Sequence, residues 1–500
     1  MATLTATKRV SNSGLLRVVE TKVNCNYSAV DGVQIDKILD GIAHVQIEQA
    51  EKVKEALDIV GKVTFTGVYS DTEKHLYSNN NMVDFNEKIQ IVDADAVVVV
   101  PKVKGIKQRK ETSVFVDATI ILELEIYGVV QENITYVEPN NEGLNEKVEE
   151  INTETLLCFN SSTFDQTETF DLEEGAKVIS CYATISINKV SPNGNYVTID
   201  GEINRDVLYE MGGTIKREQK RSDFTEEISL LNCTVDTPCS IKCFISGEDI
   251  DHTQAEGKET FTIKNTISVA LWGYEQEKFS CLHDAFSLKK QLNLSTSSFI
   301  SYNYLKTTAS SDHISVVEDM SNSKRIDEVL AIGSNFVKVE NGYYSDGVIN
   351  LSGNISQTII GKNYDNDDIF AVNVDVPFQT QVTNIVGGEN ADFDYMVEAR
   401  CTTCKNKAGK DIALTFDLNI ISNVKTYKNE YLISDIAETQ DIEPSEYSMF
   451  VYKPEENEMV FDIAKKLNVS PDCILSQNPN IVDGKPIEKV VVYRKMSNIS

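Results

Sequence analysis

The chain of 500 residues holds five histidines (His44, His75, His252, His283 and His313), the side chains whose ordinary pKa best suits proton transfer near neutrality. None lies in a His-Glu-x-x-His, His-x-x-x-His or Gly-x-Ser-x-Gly setting, the spacings that place two imidazoles on one metal or a serine beside its base. They are expected to be surface or structural residues. Cys401-Thr-Thr-Cys404 has the spacing of half a zinc site or of a redox dithiol. A zinc site needs two more ligands, and neither a second Cys-x-x-Cys nor a His pair follows. Cys401 and Cys404 therefore stand as the candidate metal or redox pair, with core packing as the expected role and no metal assigned. Cys239 and Cys243 alternate as two residues on one strand face would. Met211-Gly212-Gly213 and Gly387-Gly388 lack the Lys-Ser/Thr ending of a phosphate loop and read as turns. Asn363 to Phe370, the nearest approach to a calcium loop, reads as a polar loop. Carboxylates are abundant, but no spacing nominates an acid and base pair. The reading is a protein that is not an enzyme, with no catalytic residues and no cofactor.

Composition narrows the classes further. Asp plus Glu number 77 against 47 Lys plus Arg, a net charge of −30 with a pI near 4.6. Such a field opposes nucleic-acid binding. The densest basic stretch, Lys102 to Lys110, contains no stacking aromatic and reads as a solvated loop. The first twenty residues lack an apolar core and a cleavage site, and no window approaches 18 consecutive apolar residues, so neither a secretory signal nor membrane insertion is expected. Ten cysteines are too sparse for a disulfide framework and are expected as reduced thiols in a cytoplasm.

The elements that would position any site follow a threefold repeat. GKVTFTGVYS from Gly61, GEINRDVLYE from Gly201 and GNISQTIIGK from Gly353 share an apolar residue two places on, and the first two share Tyr69 and Tyr209 eight places on. The third has Gly361 there. A phenylalanine follows each glycine (Phe85, Phe224, Phe378), and an apolar couplet precedes it at Ile38-Leu39, Val178-Ile179 and Val329-Leu330. Period-two alternation of Val, Ile, Thr, Tyr and Phe predicts strands, and Ser191 to Asn195 carries the Asn-Gly signal of a hairpin. The expected class is mostly β: three tandem antiparallel β-sandwich or barrel-like domains, arranged as beads, plus a small α/β domain. The expected divisions are repeat one at 1–137, an acidic linker with one short helix at 138–157, repeat two at 158–285, repeat three at 286–433, a linker at 434–446 and the small domain at 447–495.

In that last segment Phe450 to Tyr452 form an extended run, and Val460, Ile463, Ala464 and Leu467 share one face of a helix. Ser470 and Pro471 open a second helix that turns Ile474 and Leu475 inward, and Val490 to Tyr493 form a last strand. This order, with IAKKLNVS, ILSQNPNI and GKPI, resembles the LysM domain, from whose Gly-Asp-Thr turn the chain departs at Glu455 to Glu458. The Gly-x-Ile/Val, Leu/Val-Tyr and Phe-x-x-x-Ile pattern of the repeats resembles the SPOCS domain of spore-forming Firmicutes. SPOCS copies followed by a LysM are similar to clostridial spore-coat morphogenetic proteins. The resemblance implies a non-enzymatic scaffold in the mother-cell cytoplasm, at the forespore surface and later in the coat. Its implied partners are the ATPase of the coat basement layer and other coat proteins. Partner contacts in the LysM would come from Phe461, Lys465, Lys466, Asn478 and Asn480. The alternative is a protein that binds peptidoglycan or another N-acetylglucosamine glycan through the same domain.

Overall fold

The structure, a computed structural model, describes residues 4–91, 94–255, 258–305, 307–320, 324–383, 390–407, 411–443, 449–485 and 489–493. Expectations at Gly387-Gly388, at residues 444–446 of the second connector and at 486–487 of the GKPI motif lie outside the described residues. The chain is mostly β, in several small antiparallel sheets with two short helices.

The first repeat contributes β1 (Thr5–Ser28), β2 (Lys37–Val53), β3 (Ala56–Ser70), β4 (Leu76–Gln90), β5 (Asp95–Lys110) and β6 (Phe115–Val137). These form two three-stranded sheets, ordered β1-β6-β5 and β2-β3-β4. The second repeat reproduces the plan with β7 (Asn145–Glu173), β8 (Lys177–Asn193), β9 (Tyr196–Met211), β10 (Thr214–Ser229), β11 (Cys239–Ala255) and β12 (Lys258–Phe286), in the orders β11-β12-β7 and β10-β9-β8. In the third, β13 (Lys290–Tyr304) and β14 (Thr308–Asp319) both pair with β19 (Asp411–Asp441), as does β18 (Ala391–Lys407). Its meander is β15 (Glu328–Ser345), β16 (Val348–Asn363) and β17 (Asp368–Val382). Alternation aims one face of each sheet at a core shared with its partner sheet. Val45, Val63 and Phe85 meet Val99, Ile120 and Leu122 in the first repeat, and equivalent clusters fill the other two.

The repeat signature has a physical origin. Gly61, Gly201 and Gly353 pair across the sheet with Phe85, Phe224 and Phe378. Each also faces a β-bulge in the first strand of its meander, at Ile47/Gln49, Ile187/Lys189 and Val339/Asn341. A Cβ on Gly201 would stand 2.6 Å from both the Phe224 ring and the Ser186 carbonyl oxygen, and one on Gly353 2.0 Å from the Lys338 carbonyl oxygen. The bulge and the covering ring leave space for hydrogen alone. Gly361, where the other repeats have tyrosine, is occupied from outside: a Cβ there would lie 2.8 Å from Ile326. The hairpin between β8 and β9 forms with Gly194 (φ +68°) at its first turn position, while Asn193 remains in the strand opposite Tyr196.

Four expectations change. Residues 145–157, read as part of an acidic connector with a helix, form the first half of β7, paired with β12 from Asn145↔Phe286 onward. Glutamates dominate this stretch by number, yet the inward places are held by Ile151, Thr153 and Thr155, which are buried. Residues 434–441 likewise belong to β19 rather than a linker. Lys102 to Lys110 is not a solvated loop: it lies in β5, paired with β6. The repeats are not beads. Leu39, Ile179 and Leu330 meet Val68, Leu208 and Ile360 and also Leu76, Ile215 and Ile369 in one cluster, with each repeat supplying the same three positions. Ion pairs surround it, including His75 with Glu210 at 2.9 Å and Lys74 with Asp367 at 3.0 Å. A second shared cluster joins Val100 and Tyr127 to Trp272, Tyr274 and Tyr304.

The chain ends in β20 (Met449–Tyr452), α1 (Val460–Leu467), α2 (Pro471–Gln477) and β21 (Val490–Tyr493), with β20 antiparallel to β21. Ser470 caps α2, its hydroxyl accepting from the Cys473 N–H at 3.2 Å. Ile474 is buried, but Leu475 faces solvent rather than the interior, because consecutive helical residues point about 100° apart.

Candidate functional site

Between the three repeats lies a cavity of about 460 Å³, within the range of small-molecule sites. Its walls are the faces of equivalent strands that point away from each repeat's own core. On β5, Val99 and Val103 belong to that core while Lys102 and Lys104 turn outward. On β11, Ile241 and Cys243 point inward and Lys242 and Phe244 outward; on β18, Ala399 and Cys401 point inward and Asp394 and Glu398 outward. From the meanders come His44 on β2, Tyr182 on β8 and Phe336 on β15. At the rim Leu15 and Val18 are exposed, so the cavity opens to solvent.

The charges are paired, within the first repeat and between the second and the third. Lys102 bonds Glu125 at 2.5 Å and Lys104 reaches Glu123 at 3.3 Å. Lys242, 1% exposed, bonds Asp394 of the third repeat at 2.6 Å and lies over the Tyr127 ring. Tyr127 donates to Asp394 at 3.1 Å, and Tyr182 donates to the Asn335 carbonyl at 3.3 Å. Burial pulls the Lys242 pKa down and Asp394 opposes it. For Lys102 burial also acts downward, but Glu125, Asp394 and Glu123 outweigh it and the pKa is raised. Burial lifts the Glu398 carboxyl to about 7 against the pull of Lys102, and lowers His44 to about 4. The Nε2 atom of His44 is buried without a hydrogen-bond partner among the described residues. Beside the cavity, fully buried Asp40 accepts from the N–H and hydroxyl of Ser334, at 2.9 and 2.7 Å, locking the first repeat to the third.

None of these residues was singled out as functional from sequence. The available signal was a charged residue on the outward face of a strand whose other face is apolar; it becomes a site only when three such faces meet.

The residues selected from sequence lie elsewhere. Cys401 sits at a bulge of β18 opposite Phe416 and Thr415, buried in the third repeat's core, and Cys404 packs on the same core. The register of that bulge matches Val103 and Ile245 in the other repeats, so an aliphatic position has become a thiol. Burial raises both thiol pKa values, that of Cys404 to about 12, which disfavours the thiolate that a metal or a disulfide exchange requires. In the C-terminal unit Phe461 packs edge-on against Phe286 of β12, with ring centroids 5.3 Å apart, and Lys465 bonds Asp284 at 2.6 and 2.7 Å. Both residues thus dock the unit onto the second repeat. Lys466 bonds Glu458 at 2.7 Å and Tyr452 at 3.1 Å, which gives the acidic turn an internal partner. Asn478 ties α2 to β21: its Nδ2 donates to the Ile474 and Val491 carbonyls at 2.8 and 2.7 Å, and its Oδ1 accepts from the Val491 N–H at 2.9 Å. Asn480 is exposed, near Val482, which is 64% exposed.

Comparison with known families finds a match at residues 176–253 to the family described as SipL, SPOCS domain. This span covers β8, β9, β10 and nearly all of β11, so the similarity to the SPOCS domain lies in the second repeat. No curated protein and no solved structure matches the chain.

Proposed function

We propose that this protein is a non-enzymatic morphogenetic scaffold of the bacterial spore coat. It acts in the mother-cell cytoplasm at the forespore surface, and its C-terminal strand-helix-helix-strand unit is a LysM that holds coat proteins, the basement-layer ATPase among them. The observation that carries the reading is the SPOCS match, which ties the chain to sporulation. Each pair of facing sheets is read as one sandwich, and the interlocked repeats act as a rigid body against which the LysM is braced by Phe286 and Asp284. Because Phe461, Lys465 and Asn478 have internal partners, the partner surface is assigned to the opposite side, around Leu475, Asn480 and Val482. Binding of a glycan is disfavoured by the acidic Glu455 to Glu458 turn, whose carboxylates hold Lys466.

The test images a fluorescent fusion of the full chain through sporulation, beside the double variant Leu475→Glu, Val482→Glu. A ring around the forespore that becomes diffuse in the variant is the expected result. Uniform fluorescence in both, or retention of the purified protein on sacculi with signal along the vegetative wall, would overturn the reading.

A further inference from the structure

Lys102 and Lys104 line the cavity and buried Lys242 lies behind its wall residue Asp394; each ammonium is engaged by a carboxylate, from Glu125, Glu123 and Asp394 in turn. Glu398 is a fourth carboxylate. It lines the same cavity, and no hydrogen bond or ion pair reaches it among the described residues. Lys102 from β5, Tyr182 from β8 and Cys243 from β11 are the titratable groups that feel its charge. The aromatic side chains of Tyr182, Phe244 and Phe336 share the walls with it.

The arrangement selects among ligand classes. An anion would meet lysines already neutralised and an additional carboxylate. A metal ion would want more ligands than are offered, for no group of three or more His, Cys, Asp or Glu suited to a metal converges among the described residues. A neutral apolar molecule would leave the Glu398 carboxylate and the Nε2 atom of His44 without partners, at a cost. An ammonium with a compact apolar body satisfies the carboxylate and gains from aromatic faces, which attract cations through their quadrupoles.

We infer that the cavity between the three repeats binds a small organic cation, with Glu398 as its counter-ion and Tyr182, Phe244 and Phe336 as its walls. Because burial holds the free carboxyl near pKa 7 and a bound cation favours its ionised form, binding releases a proton. Affinity therefore rises with pH by roughly tenfold between about pH 6 and about pH 8, then levels off.

The test is calorimetric titration of the full chain with choline, and with 3,3-dimethylbutanol as the neutral molecule of the same shape. Saturable binding of choline, proton release in buffers of differing ionisation enthalpy, and affinity at least about tenfold weaker for the alcohol are expected. The variant Glu398→Gln, which keeps the side-chain volume, should bind choline at least about tenfold more weakly and lose the proton release. Phe244→Leu, which removes an aromatic wall and leaves Glu398 in place, should weaken choline while leaving proton release intact. The inference is overturned if choline does not bind, if the alcohol binds as well, or if Glu398→Gln binds unchanged while its melting temperature shows it to be folded.

Discussion

His44 illustrates how position rather than motif sets a residue's chemistry. As one of five scattered histidines it had no local context suggesting a role, yet β2 carries its ring to the wall of a cavity where burial holds it neutral. With a folded pKa near 4 against an ordinary value of 6.5, the unfolded chain binds a proton that the folded chain does not throughout that window. Stability from this residue is complete above about pH 6.5 and is lost as pH falls toward 4. The variant His44→Gln should therefore lose less stability than the parent on acidification. The difference, measured by urea denaturation at matched ionic strength, should reach on the order of 2 kcal/mol at about pH 4. Glu398 runs the other way. Its raised pKa means that the folded chain holds the extra proton between 4.5 and about 7, so its contribution is lost as pH rises through that window.

At the scale of the element, the Gly and Phe signature is a device for accommodating bulges. Each bulge drives a neighbouring carbonyl toward the central strand of a meander, and glycine leaves room for it while a phenylalanine ring covers the gap. Gly201→Ala should cost about 2–3 kcal/mol, because a Cβ would meet both a ring and a backbone oxygen. Gly353→Ala should cost more, since its first obstacle is the Lys338 carbonyl, which cannot rotate away as a ring can. Denaturant melts of the two variants beside Gly105→Ala, where nothing lies within 4 Å of the added carbon, would check the order. The third repeat shows that the signature tolerates change when space is filled another way, as Ile326 does at Gly361.

For the whole molecule, the consequence of shared clusters is cooperativity. Equivalent apolar residues of all three repeats lose water only when the repeats are together, so no repeat keeps its full core alone. Calorimetry of the intact chain should show the repeats melting in one transition, and Leu208→Asp, which buries a charge at their meeting point, should lower that transition for all three. Independent melting of the repeats in the parent, or local loss confined to the second repeat in the variant, would count against this arrangement. The ion pair beside the cavity reinforces it: Lys242 and Asp394 come from different repeats, and the buried Lys242 ammonium would be stranded in the interior if they parted.

The residue pattern by itself determined the strands, their threefold recurrence, the hairpin at Gly194 and the two C-terminal helices. These depend on neighbours within a few residues, through alternation, turn chemistry and capping. It left β7 unread, because a local excess of glutamate obscured Ile151, Thr153 and Thr155 at every second place. It also turned Lys102 into a loop residue, since a lysine on the outward face of a strand has the same local signature as one in water. Only the tertiary structure decided that this outward face is a second interior. A strand has two faces, and sequence periodicity assigns one of them to a core without saying what the other will meet. Here the other faces of β2, β5, β8, β11, β15 and β18 meet one another, and the cavity with Glu398 and His44 exists only where they do.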